Sequence, residues 1–263
     1  MIFYSPIEPV YFLLPLFGLI IGLFGTMLGG GGGFFFLPIL MLLVKAPAQT
    51  AVITSLVATL PICLVGSLGH YRKSNINIQM AVLFAISGIA GAFTGAGITR
   101  LVSGSMLKVS FGVYSVLIAV NMIAGTWRNR HDGVTTKVQR YSGQEIAKGS
   151  FFGLFGGIIT GAFGTSGTAP VLAGLFSMRI PLKMVIGTSM LVVLINTFFA
   201  VGAHFLIGKI DLTLVGFLTA GSAIGALTGP KLLANVKVGN SENKIKYAYA
   251  AVMVALGVLM IAG

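Results

Sequence analysis

The chain has 263 residues, 56% of them hydrophobic and only 8% charged, with a formal net charge of +12 and a mean hydropathy of +0.99. Soluble domains carry about 25% charged residues, so this composition excludes a soluble globular protein. The cations are divided among short connections and form no single patch, which excludes nucleic acid as a partner and fits the loop-charge bias of a membrane protein.

In chain order, the opening MIFYSPIEPV has no basic region and carries Glu8, so it is not read as a cleaved signal peptide. Five apolar segments follow, at 11–28, 34–44, 50–69, 76–99 and 106–125. The first two are separated by glycines 29 to 33, all in a row, within FGTMLGGGGGFFFLPIL. A glycine inside a helix costs about 1 kcal/mol relative to alanine, so the run must end the helix. The third segment holds the pair Thr54 and Ser55 and the chain's lone Cys63, and it ends at His70. One cysteine forms no internal disulfide and is read as core filler.

Residues 126–145, TWRNRHDGVTTKVQRYSGQE, are the only long polar stretch. Beyond them, five more apolar segments lie at 146–162, 168–178, 182–205, 212–234 and 245–263. The first two are again separated by a break, GAFGTSGTAP, and the third carries Thr188, Ser189, Asn196 and His204.

The halves repeat. A shift of 132 aligns Gly25, Gly29, Gly32, Pro38 and Leu40 with Gly157, Gly161, Gly164, Pro170 and Leu172. A shift of 134 aligns Thr54-Ser55 with Thr188-Ser189 and His70 with His204, and a shift of 138 aligns VNMIAG with VLMIAG. The domain reading is therefore repeat one at 1–126, a basic linker at 127–145 and repeat two at 146–263.

The second segment of each half is too short to span a membrane as a helix. Eleven residues at a rise of 1.5 Å reach only about 16 Å of a roughly 30 Å core. Loop charge decides what each broken pair does. If the pair crosses an even number of times, the halves are inverted, and 13 cations fall on the face of the central linker against 4 opposite, namely Lys45, Arg100, Lys108 and Lys209. If the pair crosses once, the halves are parallel and the tally is 8 against 9. The Lys/Arg excess marks the cytoplasm. The expected fold is thus an all-α polytopic membrane protein of two inverted-topology repeats. Each repeat has about three full spans plus a glycine-broken helix pair, with the linker cytoplasmic and both termini outside.

Inverted short segments would bring two helix N-termini toward the bilayer centre, each with unpaired N–H groups and a positive dipole end. That arrangement favours an anion. The expected substrate donors are Gly31, Gly32 and Gly33 in one break and Gly164, Thr165, Ser166 and Gly167 in the other. A second set comprises Thr54, Ser55, Thr188 and Ser189, whose hydroxyls have the competing use of bonding to the preceding helical turn. His70 and His204 are candidates for a gate or a proton step, with capping of the helix end as the plainer reading. Asn196 needs a partner, and an interhelical hydrogen bond would supply it. The five acidic residues, Glu8, Asp132, Glu145, Asp211 and Glu242, fall in loops or near segment ends. A cation or proton relay normally needs buried carboxylates, so none is expected. No nucleophile–base set, metal site or cofactor motif is present, and the chain is not read as an enzyme.

A glycine-rich break followed by Pro-x-Leu in GGGGGFFFLPIL, the Thr-Ser pair, and GSLGHYRKSNI followed by GIAGAFTGAG resemble the TauE/SafE family of sulfite and organosulfur anion exporters. The second half, with GAFGTSGTAPVL, GTS and GALTGP, resembles the second half of that family, although GTSG replaces the glycine run. The resemblance implies export of sulfite or a related small organosulfonate across the bacterial cytoplasmic membrane. The partners expected are that anion and the lipid bilayer; a homo-oligomer is left open. An anion channel or an importer on the same scaffold is the alternative.

Overall fold

The computed structural model describes residues 2–28, 30–127, 142–178, 180–206, 209–235 and 241–263. Gly29, Arg179 and most of the linker lie outside the described residues, as do the side chains of Lys231, Lys237, Lys244 and Lys246, on which part of the charge count rests.

Among the described residues, ten α-helices follow the apolar segments closely. In the first half they are α1 (Leu14–Leu28), α2 (Gly33–Pro38), α3 (Ala48–Arg72), α4 (Ile78–Leu101) and α5 (Gly104–Trp127). In the second half they are α6 (Gly143–Phe163), α7 (Thr168–Ser177), α8 (Leu182–Phe205), α9 (Leu212–Asn235) and α10 (Ser241–Ala262). A short 3-10 turn over Pro9–Leu13 leads into α1. A π-helical turn over Ile39–Leu43 continues α2, because Pro38 cannot donate to the regular ladder and the bonding register slips, with Val44 N–H donating to Ile39 O at 3.2 Å. Among the described residues, six helices are long and apolar enough to cross a membrane. The chain is a multi-pass helical membrane protein.

The most extensive helix contacts are α4 with α6 and α1 with α9, followed by α5 with α10, α3 with α8, α4 with α8 and α3 with α9. Exchanging each helix for its counterpart in the other half leaves this set of pairs unchanged. Points of close approach give the sense of each pair. Alpha-carbons of α1 and α9 run side by side in parallel, Gly221 against Pro15 and Gly225 against Leu19. Helices α4 and α6 are parallel as well, with Gly157 on Gly88 and Gly161 on Ala92. By contrast α3 and α8 are antiparallel, Gly66 meeting Met190 and His70 meeting Gly187. So are α5 and α10, where Ser115 Oγ donates to Met253 O and Gly112 meets Gly257.

Glycine makes these approaches. A β-carbon on Gly153, Gly157 or Gly161 of α6 would strike backbone or side-chain atoms of α4, so the four-residue glycine ladder is the seam of that pair.

Two features were absent from the sequence reading. Residues Ile2–Phe3 (β1) pair in parallel with Ile210–Asp211 (β2), which fastens the N-terminus to the connection between α8 and α9. Asp211 is also buried, at 3% exposure, which corrects the expectation of no buried carboxylate. Its Oδ1 accepts from Thr213 N–H at 3.0 Å and, less closely, from Leu214 and Ser5 N–H at 3.4 Å. The carboxylate caps the first turn of α9, where the helix dipole favours negative charge.

Candidate functional site

Each break is a left-handed turn that only glycine takes without strain. Gly31 and Gly32 have φ of 63° and 70°, and Gly164 and Gly167 have φ of 65° and 52°. Gly32 is the N-cap of α2 and Gly167 that of α7, and neither helix start is capped by a side chain. Gly164 ends α6, with its N–H donating to Thr160 O at 3.0 Å.

The two breaks touch. A β-carbon on Gly33 would lie 3.1 Å from Ser166 N and 2.6 Å from Thr59 Oγ1. Thr168 Oγ1, at the start of α7, lies 3.0 Å from Gly30 O and 2.8 Å from Ser166 Oγ. Between them stands Ser55, fully buried on α3, whose Oγ is 2.7 Å from Gly164 O and 3.2 Å from Gly33 O. One hydroxyl proton serves one acceptor at a time, so the shorter contact is the hydrogen bond and the longer one the alternative. One face of α3 makes the shared wall: Thr59 Oγ1 donates to Ser55 O at 2.8 Å, and Cys63 Sγ lies against Gly31.

Aromatic rings hold both breaks onto α5. Phe34 directly follows the first break and Phe163 directly precedes the second; their ring centroids lie 5.0 and 5.7 Å from that of Phe111. Tyr114 stacks on Phe163 at 5.7 Å, and Phe35 meets Tyr249 of α10 edge-on at 5.2 Å. Edge-to-face and offset pairs of this kind contribute about 0.5–1.5 kcal/mol each beyond area burial.

The expected site residues are brought together in part. Gly31, Gly32, Gly33, Gly164, Thr165, Ser166, Gly167 and Ser55 form one cluster. Thr165 is buried, at 1% exposure, and its Oγ1 has no hydrogen-bond partner among the described residues. Thr54 is buried next to Ser55, and its hydroxyl also has no partner there. Thr188 serves elsewhere: its Oγ1 accepts from Asn77 N–H at 2.9 Å, tying α8 to the start of α4. Ser189 is buried beside it on α8. His204 Nε2 lies 2.6 Å from Gly161 O, on the last turn of α6, and Thr99 Oγ1 donates to Ala162 O at 2.8 Å. His70 is partly exposed at the end of α3 and packs on Gly187. Asn196 is fully buried against Gly88, and the interhelical hydrogen bond expected for it is not present among the described residues.

Sequence reasoning missed Thr59, Thr99 and the Phe34–Phe111–Phe163 cluster. Thr59 was legible as the residue four after Ser55, one turn along the same face. The aromatic cluster was not, since its members are separated by scores of residues.

Among the described residues, ten apolar helices with two helix starts meeting inside the bundle describe a polytopic membrane protein. The family described as Sulfite exporter TauE/SafE matches residues 14–260, and the chain belongs to that family. A "Probable membrane transporter protein" of Xylella fastidiosa strain Temecula1 is 26% identical over 258 residues, covering 93% of this chain and 92% of its own. "Probable membrane transporter protein YdhB" of Bacillus subtilis strain 168 is 26% identical over 220 residues, covering 82% of this chain and 86% of its own. No solved structure is significantly similar. The family is one of transporters, and the chain is not an enzyme.

Proposed function

We propose that the chain is a secondary transporter that exports a small sulfur-containing oxyanion, such as sulfite or an organosulfonate, across the cytoplasmic membrane. The anion is held between the two glycine breaks. The observation that carries this reading is the meeting of two helix starts, Gly33 and Thr168, around Ser55. Each of these starts lacks a side-chain cap and contributes the equivalent of about half a positive charge. Of the seven break residues, Gly31 and Gly164 have their N–H groups engaged, with Gly25 O and Thr160 O, while Gly32, Gly33, Thr165, Ser166 and Gly167 would supply backbone and hydroxyl donors without a fixed cation, which suits a substrate that must also leave. Thr165 carries a buried hydroxyl with no partner among the described residues, and an oxyanion oxygen would accept from it.

The same reading makes the two halves inverted repeats. It is supported by the helix senses: α3 and α8 are counterparts and antiparallel, as are α5 and α10, while α1 and α4 each run parallel to the other's counterpart. In such a molecule α1 and α2 form a hairpin that enters and leaves by one face, and α6 and α7 do the same from the other. Alternating access then consists of the two hairpins yielding in turn. An anion leaving a cell with a negative interior moves downhill by about 2.3 kcal/mol per charge per 100 mV, so export needs no coupling ion.

Purified protein in proteoliposomes tests this. Saturable counterflow of labelled sulfite or sulfonate is expected, with the flux falling at least about tenfold in Thr165→Ala/Ser166→Ala, as expected for the loss of about 1.4 kcal/mol of substrate interaction. Single-channel currents would point to a pore instead, and unchanged saturation in the double variant would remove these two hydroxyls from the site.

A further inference from the structure

Two neighbouring side chains of α8 are buried with nothing to bond. Asn196 and Thr197 are both at 0% exposure. The oxygen and nitrogen of the Asn196 amide and the hydroxyl of Thr197 have no hydrogen-bond partner among the described residues. A buried polar group left in that state is costly, and its retention calls for an explanation. We propose that Asn196 and Thr197 are substrate-binding residues, forming the wall of the anion site that faces α3 and the second break. The proposal rests on the transport reading above and adds side-chain donors from a helix outside both breaks.

Thr197 departs from the habit of its neighbours. A threonine inside a helix can donate to the carbonyl one turn back. Thr59, Thr94, Thr99, Thr160 and Thr228 each do so, to the residue four positions earlier, at 2.8–3.0 Å. Thr197 has the same option at Val193 and does not take it. Helix register places its hydroxyl. Helices α3 and α8 are antiparallel, and Cys63 of one and Val193 of the other both lie against Gly31. One turn back along α3 and one turn forward along α8 brings Thr59 level with Thr197. Thr59 and Ser166 N both lie against Gly33, so Thr197 stands at the depth where the two breaks meet.

Asn196 sits beside it, toward the second break. Its amide rests on Gly88 of α4, which Gly157 of α6 also meets. The residue before, Gly156, turns its carbonyl onto Gly167, the N-cap of α7. The amide offers two N–H donors to anion oxygens and an acceptor for any hydrogen the anion carries. Thr165, in the second break, adds a third side chain with a buried and unpartnered hydroxyl. Three neutral side chains held without partners in the substrate-free protein are ready to bond an arriving oxyanion, with no existing hydrogen bond to break first.

Thermal unfolding of the purified protein in detergent, with and without sulfite, tests the wall. Thr197→Val and Asn196→Leu remove the polar atoms and keep most of the volume. Without anion, Thr197→Val should melt about 2–4 °C above the wild type, because an unpaired buried hydroxyl is gone. Each variant should need about tenfold more sulfite for the same rise in melting temperature. Thr197→Ser, which restores the hydroxyl, should recover most of that loss. A lower melting temperature in anion-free Thr197→Val, as a structural hydrogen bond would give, overturns the proposal. So does unchanged sulfite affinity in either apolar variant. If sulfite and methanesulfonate leave the wild type unmoved while phosphate raises its melting temperature, the sulfur reading fails, and phosphate titration of the same variants decides the wall. If no anion moves the wild type, both readings fall.

Discussion

Ser55 shows how one hydroxyl organises the site. Its sequence context, an adjacent Thr54-Ser55 pair repeated as Thr188-Ser189, gives all four residues equal standing. Packing separates them. Ser55 reaches the carbonyls of both breaks, whereas Thr188 accepts a backbone N–H from Asn77 at the start of α4. Ser55→Ala leaves the buried Gly164 carbonyl without this donor, at a cost of about 1–3 kcal/mol. A lower melting temperature in detergent is expected, together with reduced flux. Thr188→Ala is expected to lower stability as well while leaving substrate affinity unchanged, measured by the concentration dependence of transport.

Helix contacts depend on which glycines face a neighbour. The seam of α4 and α6 has no room for a methyl group: a β-carbon on Gly157 would collide with the carbonyl of Gly88, which on its other side meets the Asn196 amide. On α4 itself, Gly97 faces open space, with nothing within 4 Å of a β-carbon. Gly157→Ala should therefore separate the two helices and lower the apparent melting temperature sharply. Gly97→Ala should be neutral or stabilising by up to about 1 kcal/mol, because alanine is the better helix former. Thermal unfolding of the two variants side by side checks this. The second break, on the C-terminal end of α6, should lose function with the seam, since Gly161 and Ala162 carry the carbonyls held by His204 and Thr99.

At the scale of the molecule the pairing of helices is unchanged when the halves are exchanged, and the proposed inverted arrangement would place both termini on one face. Fusion reporters test that orientation. An alkaline phosphatase joined after Gly263 should be active and a fluorescent protein there dark, with the opposite result for insertions near Asp132 in the linker. A fluorescent C-terminus would reverse the orientation.

Composition and periodicity by themselves determined the class, because a chain with 8% charged residues has no means of keeping ten apolar segments in water. The segment ends were legible to within a few residues for the same reason, α8 coinciding with 182–205. The five-glycine run announced the first break, since five glycines end any helix, and the repeat announced that a second break pairs with it. Tertiary structure decided what the breaks touch. The Ser55 bridge joins residues 109 apart in the chain, and the Phe34–Phe111–Phe163 cluster draws on three different helices. The β1–β2 strap and the burial of Asp211 likewise arise only where the N-terminus meets the connection after α8. Local pattern encodes which face of a helix is apolar; which neighbour that face meets depends on long-range packing, which no window of sequence contains.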